Sequence, residues 1–230
     1  MRPAVFLDRD GTLLEEAGYL DRLGRLAFFP FAIDAVRLLN RGGYAVVIIT
    51  NQSGVGRGMY EEAFVIRAHQ VVDERVRAGG AHIDGYYYCP HHPDAEVQKY
   101  RLDCDCRKPG PGMLRQAAAD LDLDLSRSFA IGDKWTDVQA GVAAGARGIL
   151  VRTGYGRTSE AAPKRPVEPV TIADDLIAAT AWILRNEDPS PESRPFDELR
   201  VAPSFVEGRA PLARRSAERK GGSPESGGDR

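Results

Sequence analysis

Short apolar runs without alternation recur along this chain, and each is followed by a segment whose apolar residues return every three or four positions. Val5-Phe6-Leu7, Ala45-Val46-Val47-Ile48-Ile49, Ile83 to Tyr88, Phe129-Ala130-Ile131 and Gly148 to Arg152 read as strands. Runs of this kind are expected where a strand is buried on both faces of a parallel sheet. Between them, Ile33, Val36, Leu38 and Leu39 predict a helix over 32–41, closed by Gly42-Gly43. Phe64, Ala68, Val71, Val72 and Val76 predict another over 61–78, stopped by Gly79-Gly80. Leu114, Ala117, Ala118 and Leu121 mark a third helix, opened by Pro109-Gly110-Pro111. Residues 136–144 suggest a short fourth, and Leu176, Ile177, Ala181 and Leu184 a last one over 174–186. Strand alternating with helix predicts an α/β fold, a doubly wound parallel sheet with helices on both faces.

Polar residues gather where the apolar runs stop. The first run ends in Asp8-Arg9-Asp10-Gly11-Thr12, the second in Thr50-Asn51-Gln52-Ser53-Gly54 and the fourth in Gly132-Asp133-Lys134. Ligands of open parallel sheets bind outside the carboxyl ends of the strands, so these three ends are expected to converge. Taken alone, Asp8 and Asp10 fit an acidic turn as well as a site. If extended backbone persists through Arg9, both carboxylates face one pocket and Arg9 points elsewhere. Residues 15–31, interrupted by Gly18, Gly24 and Pro30, are too irregular for one helix and well placed to form a flap over the strand end.

With 230 residues the chain can bury a substantial core, and a hydrophobic content of 43% is ordinary for a globular protein. A formal charge of −2 carries no global bias toward nucleic acid or membrane. No apolar run reaches membrane-spanning length, and Met1-Arg2-Pro3 leads directly into the first strand without the pattern of a secretory leader. A cytoplasmic monomer with no nucleic-acid or membrane partner is the expectation. From Glu187 onward proline, glycine, serine and alternating charge replace the periodicity, which predicts one domain over 1–186 and a disordered tail over 187–230. Phe196, Leu199, Val201, Phe205 and Val206 are scattered apolar residues within that tail.

The cysteines Cys89, Cys104 and Cys106 share one short segment with His91. An odd number so confined fits a metal site in a reducing compartment better than a disulfide framework. Cys-x-His followed by Cys-x-Cys offers three thiolates and an imidazole, a set suited to a closed tetrahedral Zn2+ site. The one-residue gaps differ from the commoner two-residue knuckles, and free buried cysteines are the alternative. His92 reads as lying behind the ligands or facing solvent, and His69 and His82 as surface residues.

Asp8-Arg9-Asp10-Gly11-Thr12, Thr50, Lys108 and Gly132-Asp133-Lys134 resemble, in the same order, the four motifs of the haloacid dehalogenase superfamily of phosphohydrolases. The similarity extends over roughly residues 3 to 186. It implies that superfamily's Rossmann-like core without a large cap domain, and a zinc-binding loop carried by Cys89, His91, Cys104 and Cys106. The implied activity is that of a Mg2+-dependent phosphatase in which Asp8 is the nucleophile and Asp10 the general acid and base. Thr50 and Lys108 would hold the transferred phosphoryl group. Mg2+ takes oxygen ligands and needs few carboxylates; Asp8, the backbone carbonyl of Asp10 and, by resemblance, Asp133 would supply them. Asn51, Arg57, Arg107 and Lys134 are candidates for contacting substrate, Arg57 equally for a surface ion pair. Asp137 either hydrogen-bonds within its own loop, or steadies Lys134, or lies exposed on a helix. The implied substrate is a small phosphorylated sugar, a heptose 1,7-bisphosphate cleaved at C7 in the synthesis of nucleotide-activated heptose. Histidinol phosphate is the rival substrate, and a non-catalytic, zinc-organised phosphate binder is the alternative from another class. Leu14 stands where many relatives carry asparagine, a departure on the flap side of the first motif.

Overall fold

The computed structural model describes residues 1–186 and 200–201. The non-alternating runs form the strands β1 (Ala4–Leu7), β2 (Ala45–Asn51), β3 (Gly85–Cys89), β4 (Phe129–Gly132) and β5 (Arg147–Val151). Two further strands leave no apolar run in the sequence, β6 (Thr171–Ala173) and the two-residue β7 (Arg200–Val201). All pair in parallel, in the order β6-β5-β4-β1-β2-β3-β7. The expected tail falls on residues outside those described, apart from Arg200–Val201, which pair with Gly85 and Tyr86 at the edge of the sheet.

The helices are α1 (Ala32–Arg41), α2 (Ser53–Gly56), α3 (Glu62–Ala78), α4 (Gly112–Leu121), α5 (Trp135–Ala144), α6 (Gly156–Glu160) and α7 (Leu176–Asn186). Successive strand residues point to opposite faces, and the core divides accordingly. Val5 and Leu7 pack in a cluster with Val36 and Leu39 of α1, Val72 of α3 and Ile183 of α7. Ala4 and Phe6 face Met113 and Leu114 of α4 and Ala140 of α5. Helices on both faces of a parallel sheet are the arrangement the sequence predicts.

Two details depart from the apolar pattern. Leu38 has the right spacing for the inner stripe of α1 yet is 39% exposed, because Ala32 and Ala35 fill that stripe instead. His69, expected at the surface, is buried: it lies one turn beyond Val65 on the inner face of α3, between Ala68 and Val72. Its ring stacks on Tyr86 at 4.9 Å, and neither ring nitrogen has a hydrogen-bond partner. His82 is half-buried, with Nε2 3.6 Å from the Asp84 carboxylate.

β1 lies between β2 and β4, so the chain runs outward through β2 and β3 and then crosses back to the other side of β1. That reversal opens a crevice at the carboxyl ends of the central strands, where Asp8, Thr50 and Asp133 stand side by side. Between β1 and α1 the chain forms the helical turn Leu23–Arg25 and two isolated bridges, Asp10 to Leu14 and Leu14 to Phe28. Leu14 itself is buried in the core beneath this flap.

Candidate active site

Asp8 follows directly from β1 and is buried. Lys108 reaches it from the loop before α4: its Nζ donates to Asp8 Oδ1 at 2.6 Å and to the Ile49 carbonyl at 2.9 Å, and pairs with Asp137 Oδ1 at 2.7 Å. Burial works against the lysine's charge, but Asp137 and Asp8 outweigh it and hold the ammonium above its ordinary range. Burial pushes Asp8 in the opposite sense, up to about 8, with Lys108 opposing and Asp137, Asp133 and Asp10 adding to the rise. Asp137 is therefore neither exposed nor a partner of the Lys134 ammonium. Its Oδ2 accepts from the Lys134 backbone N–H at 3.0 Å, capping α5, while Oδ1 steadies Lys108.

Asp133 is fully buried between two backbones. A Cβ on Gly11 or on Gly154 would lie 2.2 Å from its Oδ2, and both glycines have positive φ, +90° and +52°. That Oδ2 accepts from the Tyr155 N–H at 2.7 Å, whereas Oδ1 accepts no hydrogen bond. Burial pushes the Asp133 carboxyl up to about 6. Asp8, Asp133 and Asp137 bring carboxylate oxygens within 4.8 Å of one another. Asp133 Oδ1 has the Lys134 ammonium 3.9 Å away, and crowded acids with an oxygen free of hydrogen bonds are a set of donors that a hard divalent cation satisfies. Asp137 already has both oxygens engaged, which leaves Asp8 and Asp133 as the available pair.

A cavity of about 430 Å3 opens over these residues, lined by Asp8, Asp10, Thr50, Asn51, Arg107 and Lys108 among others. The flap contributes Glu16, Tyr19 and Leu20. Lys134 stands at the rim with its Nζ 3.6 Å from Glu16 and 4.5 Å from the centre of the Tyr155 ring. Both aspartates of the first motif line the cavity and Arg9 does not, as alternation predicts, yet Arg9 stays next to Asp10. Its buried guanidinium folds back on Asp10, with Nη2 2.9 Å from Oδ2. Asn51 grips Lys108 from both sides, Nδ2 donating to its carbonyl and Oδ1 accepting from its N–H, each at 3.1 Å. Arg57 is not brought to the cavity; its Nη2 lies 3.3 Å from His92 Nε2. Sequence reasoning left Tyr60 without a place in the site, gave Gln52 only as part of a converging strand end, and offered Asp137 the bond within its own loop but not the pair with Lys108. The only prior signal for Asp137 is an acid at the third position of a helix, which usually follows a Ser or Thr cap rather than a lysine.

The four residues of the cysteine segment converge. Their Sγ atoms lie 3.2, 3.3 and 3.6 Å apart, and His91 Nδ1 is 3.3 Å from Cys106 and 3.6 Å from Cys89. Tetrahedral zinc with Zn–S bonds of about 2.3 Å sets sulfurs roughly 3.7 Å apart, so the cluster has nearly the size of such a site. Hydrogen bonding from Cys106 holds the Cys89 thiol down at about 6, while that same bond pushes Cys106 up and burial pushes up Cys104. Three thiolates cannot share this volume without a cation. The loop leads into Arg107, whose Nη1 donates to the His91 carbonyl at 3.1 Å, and Lys108.

Residues 105–179 match the family of HAD-hydrolase-like proteins. A D-glycero-beta-D-manno-heptose-1,7-bisphosphate 7-phosphatase from Photorhabdus laumondii is 45% identical over 161 residues, covering 69% of this chain and 85% of that protein. Its counterpart from Escherichia coli K12 is 45% identical over 160 residues, covering 69% and 84%. The chain belongs to this phosphatase family. It is thus a phosphoric monoester hydrolase of the haloacid dehalogenase superfamily, as its motifs lead one to expect. The fold agrees: a D,D-heptose 1.7-bisphosphate phosphatase from B. bronchiseptica, solved with magnesium and phosphate, superposes with a TM-score of 0.72 at 32% identity, over 80% of this chain and 99% of that one. A putative HAD-like phosphatase from Mesorhizobium loti gives 0.67 at 34% identity, over 79% and 87%. Among the described residues of the phosphatase, no helix is long and apolar enough to cross a membrane.

Proposed function

We propose that this phosphatase hydrolyses the C7 phosphate of D-glycero-D-manno-heptose 1,7-bisphosphate through an aspartyl-phosphate on Asp8, within residues 1–186 and as a monomer. The observation that carries the reading is the buried carboxylate of Asp8 held by Lys108 beside an oxygen of Asp133 that accepts no hydrogen bond, in a chain 45% identical to enzymes named for that reaction. Asp8, the Asp10 carbonyl and Asp133 would hold Mg2+. When bound, that ion neutralises charge on the phosphoryl oxygens.

An Asp8 oxygen attacks phosphorus, the bond from phosphorus to the C7 oxygen breaks, and Asp10 gives that oxygen a proton. A water molecule then attacks the phosphorus of the aspartyl-phosphate while Asp10 takes its proton. The bond to Asp8 breaks and phosphate leaves. Lys108 and the Thr50 hydroxyl keep the phosphoryl group in line, and positioning with charge stabilisation is most of what phosphoryl transfer requires. Arg107 and Lys134, cations at the cavity wall, face the sugar or its second phosphate. Zn2+ on Cys89, His91, Cys104 and Cys106 would fix the loop that presents Arg107 and Lys108.

Phosphate release from a panel of esters with Mg2+ tests the reading. We expect the heptose bisphosphate to be preferred over histidinol phosphate, and Asp8→Asn to abolish turnover while circular dichroism stays unchanged. Preference for histidinol phosphate would sink the sugar assignment, and substantial turnover by the variant would exclude Asp8 as nucleophile.

A further inference from the structure

We infer that Tyr60, Gln52 and Arg9 are positioning residues that hold the Asp10 carboxylate in one orientation, so that Oδ1 is the oxygen that carries the transferred proton. The inference rests on the phosphatase reading above and deepens it.

Gln52 follows β2 and is 3% exposed. Its Nε2 lies 3.1 Å from Asp10 Oδ2 and 2.9 Å from Thr50 Oγ1. An ionised carboxylate only accepts, so the amide edge facing Asp10 must be the NH2 group. The other edge, Oε1, then faces Tyr60 at 3.0 Å, and the phenol donates to it. Asp10 thus sets which way the Gln52 amide is turned, and the Tyr60 phenol, by donating to Oε1, anchors it there. Were the amide reversed, its carbonyl oxygen would meet the Asp10 carboxylate and repel it.

The tyrosine is itself held. A Cβ on Gly54 would come within 2.4–2.5 Å of the Tyr60 ring, so the absence of a side chain there is what lets the ring lie against α2. Phe64 packs on its other side at 5.2 Å between ring centres. Burial keeps the phenol up at about 12, a proton donor throughout the working pH range.

Arg9 completes the arrangement from the opposite side. Its Nε lies 3.1 Å from Asp10 Oδ2 and 3.2 Å from Oδ1, and its Nη2 is 2.9 Å from Oδ2. Oδ2 is therefore met by Gln52 Nε2 and Arg9 Nη2 in addition to the Arg9 Nε–H that the two oxygens share, whereas Oδ1 has that shared N–H alone. A carboxylate oxygen offers about two lone pairs, so Oδ2 is saturated and Oδ1 is left for proton exchange with the cavity. Because the same Gln52 amide also donates to Thr50, the acid and the phosphoryl-holding hydroxyl are set in place together.

The effect to look for is loss of proton delivery to the leaving oxygen, distinct from loss of binding. Full-length protein with saturating Mg2+ is assayed on a series of substituted phenyl phosphates that share a shape but differ in leaving-group basicity. The ratio kcat/KM reports the step in which the leaving group departs. General acid assistance matters most for basic leaving groups, so Tyr60→Phe should lower kcat/KM about 10-fold on phenyl phosphate and less than about 2-fold on p-nitrophenyl phosphate. Gln52→Leu should steepen the dependence further. A role in substrate binding, or a structural role alone, would depress every ester alike.

Thermal unfolding of each variant verifies folding, and Tyr60→Phe, which removes one oxygen, carries the test if Gln52→Leu does not fold. Uniform loss across the series, or no loss with Tyr60→Phe, would overturn the inference while the phosphatase reading stands. Wild-type turnover that Asp8→Asn leaves unchanged would overturn both.

Discussion

Lys108 stays charged where burial disfavours charge, because two buried carboxylates meet it at 2.6 and 2.7 Å. Removing one partner of such a pair leaves an uncompensated charge and is expensive. Asp137→Asn keeps the shape and can still accept from the Lys134 N–H, but it withdraws half of the lysine's counter-charge. We expect kcat to fall about 10- to 100-fold, equivalent to roughly 1.4 to 2.7 kcal/mol of barrier. Steady-state kinetics alongside an unfolding curve checks this; a variant with unchanged kcat would reduce Asp137 to a helix cap. The residues legible beforehand, Asp8, Thr50 and Asp133, are those that end strands, since strand ends announce their location. The contacts of Asp137 with Lys108 and of Tyr60 with Gln52 are made only in space, and no local pattern announces them. Arg9 illustrates the same limit: alternation predicts its backbone direction but not a long side chain that folds back on its neighbour.

At the scale of elements, the longer helices and the five main strands were readable because each is long enough to show its period or its unbroken apolar run. α2, with two glycines in four residues, α6 and the three-residue β6 span little more than one period of the pattern that would reveal them, too short for a repeat to show. The cysteine loop has no periodicity at all, and its order is side-chain order. Glu62 at the start of α3 receives hydrogen bonds from Tyr88 Oη at 2.7 Å and Tyr100 Oη at 2.5 Å, tying the loop to the domain on one side. On the other, the cluster of Cys89, His91, Cys104 and Cys106 leads into Lys108. If zinc organises that cluster, stripping it with a chelator and restoring saturating Mg2+ should cut kcat by at least about tenfold, on the scale seen when support around functional ligands is lost. Far-UV circular dichroism should remain, because the sheet and its helices do not depend on the loop. Full activity in zinc-free protein would show that Arg107 and Lys108 are placed without the metal.

For the molecule as a whole, His69 couples stability to pH. It is buried on α3 against Tyr86 and Tyr88, and burial, reinforced by the positive charge of Arg9, holds it well below its usual 6.5. The unfolded chain binds a proton there as pH drops through 6.5 and the folded protein does not, so stability is full above that pH and declines below it. The slope approaches about 1.4 kcal/mol per pH unit. Urea unfolding at pH 7.5 and 5.5 should show a smaller acid loss in His69→Leu than in the wild type; equal losses would mean that His69 titrates freely when folded. The wound sheet itself was legible from the order of its elements, whereas a histidine standing in an apolar helical stripe reads as polar until the stripe is seen to be buried.

Gly11 follows β1 and Gly154 follows β5, yet the two close on the same Asp133 carboxylate, and a Cβ on Gly154 would come within 2.7 Å of the Gly11 Cα. The first and fifth strands to leave the ribosome thus share one wall. A nascent chain halted before β5 already carries Asp8, Asp10 and Lys108 but has only the Gly11 side of the wall around Asp133. The pocket that holds Asp133 is therefore finished by the turn after β5, more than a hundred residues after the strand that bears Asp8.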